Sequence, residues 1–224
     1  MSARDEIFAN LRRSLHVTSQ EAPRRASVAS RLADHPAGVI PARGQGTAAQ
    51  QLETFETEVL RAGATFAKVE TAAEVPNEIA RYLRDSNLPA SLRMGFDAQL
   101  EAMPWGDTTL EIARGPSDGR DPNGLSAAFA AVAETGTLAL YSGAENPTTL
   151  NFLPDNHLIV VFAQDLVGDL EAVFVKLRAK FGAAMPRTIN FVTGPSRSAD
   201  IEQTLLFGAH GPRRLHVVFC SGDA

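Results

Sequence analysis

The feature that most restricts how this chain can fold is the apolar run at residues 158–162, Leu-Ile-Val-Val-Phe, which no polar residue interrupts. A strand with one face in water alternates apolar and polar residues, so an unbroken run indicates a strand covered on both faces. Such strands belong to parallel sheets with a packed layer on each side. The run therefore predicts an α/β fold.

The patterns on either side of this run agree with that class, because helical and strand segments alternate along the chain. Apolar residues at helical spacing predict helices over residues 47–62, 75–85 and 168–181, and the alanine-rich residues 125–133 predict another helical segment. Residues 115–124 are rich in Gly, Pro, Asn and Asp, which is typical of a surface loop. Further strands are predicted at residues 65–69, 92–94, 109–113, 138–141, 188–193 and 215–220, the last of them closing the sheet.

The N-terminal part of the chain has a different character. Residues 2–17 predict a helix capped by Ser2, with Ile7, Leu11 and Leu15 forming one apolar stripe. Residues 16–46 are rich in Pro, Gly, Ala, Ser and Arg and have no sustained period, which favours a flexible linker. We therefore expect a docking helix and linker over residues 1–46 and one α/β domain over residues 47–224.

Charge and cysteine content exclude several classes. The formal net charge of −5 disfavours a nucleic-acid role, which needs a basic face. Cys220 is the only cysteine, so the chain can form neither an internal disulfide nor a cysteine-ligated cluster, and we predict no metal site. No apolar stretch approaches the roughly 20 residues of a membrane span. Asp5 and Glu6 stand where a signal peptide needs positive charge, so we expect a cytoplasmic protein.

A first candidate site is the polar cluster that precedes the strand at 138–141. Thr135, Gly136 and Thr137 offer hydroxyls and backbone N–H groups to a ligand, although the spacing alone favours a tight turn that feeds a core strand. Glu134 is the best candidate for carboxylate chemistry, as nucleophile or general base. A structural hydrogen-bond acceptor is the alternative reading of the same residue.

A second candidate site follows the strand at 188–193, because ligands bind outside the carboxyl ends of parallel strands. Ser198 can cap a helix whose first turn holds Asp200 and Glu202, and those carboxylates would oppose a bound anion unless they are paired. His210 and Arg213 could neutralise a small carboxylate. The predicted ligand site comprises Thr135, Gly136, Thr137, Gly194, Pro195, Ser196, Asp200, Glu202, His210, Gly211 and Arg213, with Glu134 as the catalytic candidate.

Four ordered motifs give the chain a family resemblance. They are the segments 133–137 (AETGT), 153–157 (LPDNH), 194–202 (GPSRSADIE) and 208–213 (GAHGPR). In this order they resemble the marks of the LUD domain, and the chain is similar to the lactate utilization protein C family. The resemblance extends from about Thr47 to the C-terminus and is most specific after Ala131.

The resemblance implies a fold and a role. The fold would be a Rossmann-like, mainly parallel sheet similar to the sugar-phosphate isomerase and CoA-transferase group. The role would be that of a non-redox subunit in the oxidation of L-lactate to pyruvate, with no cofactor of its own and with partner proteins that carry iron–sulfur clusters. A small carboxylate or phosphate is a further expected ligand. The alternative is a free-standing acyl or CoA transferase, or a sugar-phosphate isomerase, that uses Glu134.

Overall fold

The computed structural model describes residues 2–18, 20–198 and 206–222. The chain divides into two compact units, Met1–Ile40 and Pro41–Ala224. Asp200, Glu202 and the helix predicted to follow Ser198 lie outside the described residues.

The first unit contains two helices, α1 (Ala3–Ser14) and α2 (Ala22–Asp34), and neither contains a buried residue. Ser2 caps α1 as predicted, since its hydroxyl accepts from Asp5 N and its own N donates to the Asp5 carboxylate at 2.9 Å. The predicted linker differs from expectation because it holds α2. The sequence pattern that indicates α2 covers few residues. Pro23 suits a first helical turn, and Val28 and Leu32 lie four residues apart. The domain division at residue 46 stays a prediction.

The second unit is built on a six-stranded sheet in which every neighbouring pair of strands is parallel. The order across this sheet is Thr65–Val69, Arg214–Cys220, Asn156–Phe162, Asn123–Ala127, Ser91–Met94 and Glu111–Arg114. This confirms the α/β class with a mainly parallel sheet. The helices of this unit are α3 (Ala48–Arg61), α4 (Val75–Asp85), α5 (Ala98–Glu101) and α6 (Leu170–Phe181). The strands are β1 (Thr65–Val69), β2 (Ser91–Met94), β3 (Glu111–Arg114), β4 (Asn123–Ala127), β5 (Ala130–Val132), β6 (Thr137–Tyr141), β7 (Asn156–Phe162), β8 (Leu166–Val167), β9 (Ile189–Val192), β10 (Arg197–Ser198), β11 (Leu206–Phe207) and β12 (Arg214–Cys220).

The central strands are covered on both faces, as the apolar run predicted. In β7, Leu158 and Val160 join the core cluster beneath α4, while Ile159 and Val161 join the cluster that contains residues of α3. Successive side chains of a strand point to opposite faces, so an unbroken apolar run is what a doubly covered strand requires. Cys220 of β12 is buried in the α4 cluster.

A smaller sheet, in the order β8-β5-β6-β9, packs over the second face. Its β6 pairs antiparallel with both β5 and β9, and β8 is parallel to β5. The strand predicted at 188–193 therefore lies in this mixed sheet. The rule about carboxyl ends of parallel strands does not apply to the segment that follows it.

The helix predicted at 125–133 is wrong, because these residues form β4 and β5. Leu125 is paired with Leu158 of β7, and Ala128, Ala131 and Ala133 are buried in the core between the two sheets. Alanine favours helices in isolation, but here its small side chain lets two sheets approach closely, and tertiary packing overrides the propensity.

Two further expectations need correction. The strand at 215–220 does not close the sheet; it lies in the interior, between β1 and β7. The predicted loop at 115–124 ends early, because Asn123 and Gly124 already belong to β4. Asn123 is buried, and its Nδ2 donates to the carbonyl oxygens of Pro89 at 2.9 Å and Ser91 at 2.8 Å, bonds that a turn-like sequence does not reveal.

Within the described residues, no helix has both the length and the apolar character that crossing a membrane demands.

Candidate functional site

Five of the predicted ligand residues meet at one cavity of about 250 Å³, here called the Ser196 pocket. They are Gly194, Pro195, Ser196, His210 and Gly211. Its other lining residues are Asn151, Phe152, Phe191, Val192, Thr193 and Pro212.

Hydrogen bonds from the backbone and from the Ser196 side chain hold the two sides of the Ser196 pocket together. Ser196 N donates to Pro212 O at 2.8 Å, and the Ser196 hydroxyl accepts from His210 N at 3.4 Å. Gly194 has φ +76°, and a Cβ on it would lie 2.6 Å from Ala62 O, just after α3. A residue with a side chain would therefore be strained and would clash with backbone there.

Asn151 is a lining residue that sequence reasoning missed. It is 1% exposed, and neither its Nδ2 nor its Oδ1 has a hydrogen-bond partner among the described residues. Buried amides normally have partners, so such an exception requires an explanation. The only sequence signal was its place in the turn-rich stretch before β7, where asparagine is ordinary.

Three threonine hydroxyls connect the first predicted cluster to this pocket. Thr135 Oγ1 lies 2.8 Å from Thr137 Oγ1, which lies 2.7 Å from Thr193 Oγ1. Thr193 lines the pocket, whereas Thr135 and Thr137 do not. Gly136 forms the turn with φ +65°, and a Cβ on it would lie 2.7 Å from Val59 N of α3.

Glu134 is buried, 5% exposed, and faces the start of α6. Its Oε1 accepts from Leu170 N at 3.4 Å, and its own backbone N donates to Gly168 O at 3.1 Å. A carboxylate at a helix N-terminus is stabilised by the free N–H groups and the helix dipole. Gly44 covers this region, since a Cβ on it would lie 2.0 Å from Gly168 O and 2.9 Å from Glu134 Cβ.

Arg213 lies apart from the Ser196 pocket. Its Nε lies 3.5 Å from Asp155 Oδ1 in an exposed ion pair, and it is not among the lining residues. The structure thus joins His210 to the 194–196 segment but leaves Arg213 outside. Asp200 and Glu202 fall in the stretch that the structure does not describe.

A second cavity, here called the strand-end cleft, has a volume of about 300 Å³ and lies beyond the carboxyl ends of β2, β4 and β7. This is the position where open parallel sheets bind ligands. None of its polar residues was predicted, because they come from four separate segments of the chain. The lining residues are Asp97, Gln99, Ala127, Ala128, Phe129, Tyr141, Glu145, Asn146, Gln164, Asp165 and Lys180.

A connected set of polar groups lines this cleft. The Tyr141 hydroxyl donates to Glu145 Oε2 and accepts from Lys180 Nζ at 2.9 Å. Burial raises the pKa of Tyr141, and its hydrogen bond to the Glu145 carboxylate raises the pKa further. Burial also raises the pKa of Asp97, with an added contribution from the Glu145 charge. Such carboxyl groups in a cleft are functional-site candidates.

Among the described residues, no group of three or more His, Cys, Asp or Glu side chains is arranged to hold a metal ion.

Comparison with known proteins adds a family context. Residues 123–220 match the LUD domain. Lactate utilization protein C from Deinococcus radiodurans is 30% identical over 179 residues, which cover 76% of this chain and 79% of that protein. The protein of the same name from Geobacillus thermodenitrificans is 38% identical over 93 residues, which cover 41% of this chain and 39% of the relative. A match to the Exiguobacterium protein of that name covers 52% of its length at 32% identity.

A solved structure supports the fold. The crystal structure of a DUF162-family protein from Deinococcus radiodurans matches with a TM-score of 0.59 and 24% identity, covering 79% of this chain and 100% of that one. At this identity the likeness concerns the fold alone.

Proposed function

Because the chain belongs to the lactate utilization protein C family, we propose that it takes part in the use of L-lactate as a non-redox subunit of an oxidation system. The observation that carries this proposal is the 30% identity across 79% of the Deinococcus relative. In the proposal, partner proteins with iron–sulfur clusters transfer the electrons. This chain binds those partners and a small anion.

The Ser196 pocket is the proposed anion site. Its lining residues within the described part of the chain include no Asp or Glu, while Asn151 supplies an amide and Thr193 and Ser196 supply hydroxyls. Neutral donors in a half-enclosed site suit a singly charged carboxylate such as lactate or pyruvate. A phosphate dianion is less suited, because no Lys or Arg lines the pocket among the described residues.

The role in the cell is tested by deleting the gene. We expect growth on L-lactate to be lost and growth on pyruvate to be kept, and reintroducing the intact gene should restore growth on L-lactate. Unchanged growth on lactate, in a strain without a second copy, would overturn the role. Purification of the tagged protein from lactate-grown cells, followed by mass spectrometry, identifies the partners and shows whether they are iron–sulfur proteins.

The pocket is tested by calorimetry with L-lactate and pyruvate. Asn151→Asp keeps the size of the side chain but adds a negative charge, so we expect it to abolish carboxylate binding. Asn87→Asp, at an exposed position, is the matched control and should bind as the wild type does. Arg213→Ala should have little effect, since its partner is Asp155. Equal binding by wild type and Asn151→Asp would remove the pocket from the proposal.

A transferase or isomerase that uses Glu134 is the second candidate function. The observation in its favour is that Glu134 is a buried carboxylate, directly before the hydroxyl-bearing turn of Thr135 and Thr137 in the sequence. Against it stands the contact with Leu170 N, which gives Glu134 a structural task. If Glu134→Gln folds and still supports growth on L-lactate, carboxylate chemistry at this residue is excluded.

A further inference from the structure

The strand-end cleft has the position and size of a small-molecule site. It is lined by residues just beyond the ends of three neighbouring parallel strands, namely Asp97 after β2, Ala128 after β4 and Gln164 after β7. Its volume of about 300 Å³ stands at the lower end of the range for such sites and is roughly ten times the volume of one water in the liquid.

The segments that carry Asp97 and Glu145, two of the three carboxylates that line the cleft, are held together by their backbones. Phe96 N donates to Ala144 O at 3.0 Å, and a Cβ on Gly95 would lie 1.9 Å from Glu145 O. The fold thus brings Asp97 and Glu145 to one cavity despite their like charges. Asp97 also caps α5, and Glu145 accepts from the Tyr141 hydroxyl, but like charges brought together in one cleft are also typical of binding and catalytic sites.

The cleft presents charges of both signs. Asp165 is neutralised by Lys176 Nζ at 2.7 Å, which leaves the carboxylates of Asp97 and Glu145 and the ammonium of Lys180 as the other charged groups of the lining. Lys180 lies 4.8 Å from the centre of the Tyr141 ring. An anion in the cleft would face two carboxylates, and a cation would face Lys180. Hydroxyl groups suit this lining, because each can donate to a carboxylate and accept from an ammonium.

A second, independent observation comes from Asn146, which lines the same cleft. It is 6% exposed, and its Oδ1 has no hydrogen-bond partner among the described residues. Its Nδ2 donates to Tyr141 O at 3.4 Å, so the amide orientation leaves the oxygen as the acceptor. A buried acceptor of this kind is satisfied by a ligand or water that donates a hydrogen bond.

We propose that the strand-end cleft binds an uncharged, polyhydroxylated molecule of about monosaccharide size. Its hydroxyls donate to the carboxylates and to Asn146, and accept from Lys180. The site shares no residue with the Ser196 pocket. It therefore stands independently of the role in lactate use.

Calorimetry on the full chain tests this assignment with D-ribose, D-glucose and myo-inositol. Sodium acetate, sodium L-lactate and ethylamine hydrochloride serve as charged probes. We expect saturable binding of at least one of the three polyols. Glu145→Gln should weaken it about tenfold or more, because a hydrogen bond to a charged group is lost. Glu101→Gln, a carboxylate that pairs with Arg114 away from the cleft, is the matched control and should change nothing.

Three results would overturn the assignment: no binding of any of the three polyols, equal binding by wild type and Glu145→Gln, or displacement of the bound polyol by a charged probe. Lys180→Gln gives a second variant in case Glu145→Gln lowers the melting temperature. It should also weaken polyol binding, and unchanged binding by a folded Lys180→Gln protein would count against the proposal.

Discussion

Two histidines are buried in the parallel sheet in environments that disfavour their charged form. His157 of β7 is fully buried with Nε2 3.0 Å from Ser126 Oγ, and burial lowers its pKa to about 3. His216 of β12 stacks on the Tyr82 ring at 3.8 Å. Burial, with the Arg81 charge as a smaller cause, lowers its pKa to about 4.

These pKa values predict loss of stability in mild acid. The unfolded chain binds protons at these histidines near the ordinary pKa of 6.5, and the folded chain does so only near pH 3–4. Between those values the unfolded state holds more protons, so the free energy of unfolding falls as pH falls, by up to about 1.4 kcal/mol per pH unit for each histidine. Urea titrations from pH 7 to 4.5 measure this slope, and His157→Gln should reduce it by about half. An equal slope in the variant would show that His157 does not contribute.

Gly136 allows a turn to contact a helix. Gly136→Ala combines φ +65° with a Cβ 2.7 Å from Val59 N, so we expect it to lower the free energy of unfolding by about 2–4 kcal/mol. Gly119→Ala is the matched control, since Gly119 has φ +90° and no atom of the described residues lies within 4 Å of the added Cβ, and it should cost only about 1 kcal/mol. Equal losses, measured by urea denaturation, would mean that the contact with α3 contributes nothing.

At the scale of elements, the start of α6 is fixed by contacts from distant parts of the sequence. Asp169 Oδ1 caps the helix by accepting from Ala172 N at 2.9 Å, and its Oδ2 accepts from Gln45 Nε2 at 2.9 Å. Glu134 adds a second carboxylate at Leu170 N. Helix α6 is thus joined to the loop before α3 and to the turn before β6.

We predict that Asp169→Ala lowers the free energy of unfolding by about 1–3 kcal/mol, since a cap and a partly buried hydrogen bond from Gln45 are both lost. A double-mutant cycle with Gln45→Ala measures the coupling free energy between the Gln45 and Asp169 side chains, which should exceed about 0.5 kcal/mol. Ser2→Ala removes the cap of α1, a helix that buries nothing, and should leave the main thermal transition unchanged. An effect of Ser2→Ala as large as that of Asp169→Ala would contradict this reasoning.

Most elements could be predicted from the sequence, and the failures have a common cause. Residues 65–69 and 75–85 match β1 and α4 because their apolar spacing is set locally. The helix prediction for residues 125–133 fails because the alanines there serve the close contact between two sheets. Local sequence spacing does not reveal such a contact. The position of β12 inside the sheet also depends on pairing with β1 and β7, far away in sequence.

The residues of the two candidate sites likewise divide into those that local sequence reveals and those that only the fold brings together. Ser196 and His210 could be found because glycine-rich, hydroxyl-bearing segments are recognisable one at a time. Asn151 and the groups of the strand-end cleft are ordinary residues in their own segments. Asp97 caps a helix and Lys180 is a charged residue on another helix. Neither residue indicates a binding site until the fold brings both to the same cleft.

At the scale of the whole molecule, residues 41–46 belong with the second unit. Gly44 is buried, its carbonyl accepts from Gln51 Nε2 at 3.1 Å, and Gln45 reaches Asp169. The first unit, by contrast, has no buried residue in either helix.

Two truncated chains therefore distinguish a domain that begins at residue 41 from one that begins at residue 47, as the sequence predicted. A chain that begins at Pro41 should keep the melting temperature of the full chain. One that begins at Thr47 should melt about 4–8 °C lower, for a loss of about 2 kcal/mol. Equal melting temperatures for the two truncated chains would support the boundary at 47. Limited proteolysis of the full chain should likewise cut between residues 16 and 40 and spare residues 41–46.

The interior position of β12 has a consequence for the order of events during synthesis. This strand pairs with β1 on one side and β7 on the other, and His216 lies 151 residues after its neighbour Thr65. As the chain leaves the ribosome, β1 and β7 are made first and have no partner between them until residues 214–220 follow. Until then, the edges of β1 and β7 that pair with β12 in the folded protein have unpaired backbone N–H and C=O groups, and unpaired strand edges of nascent chains are among the surfaces that chaperones protect.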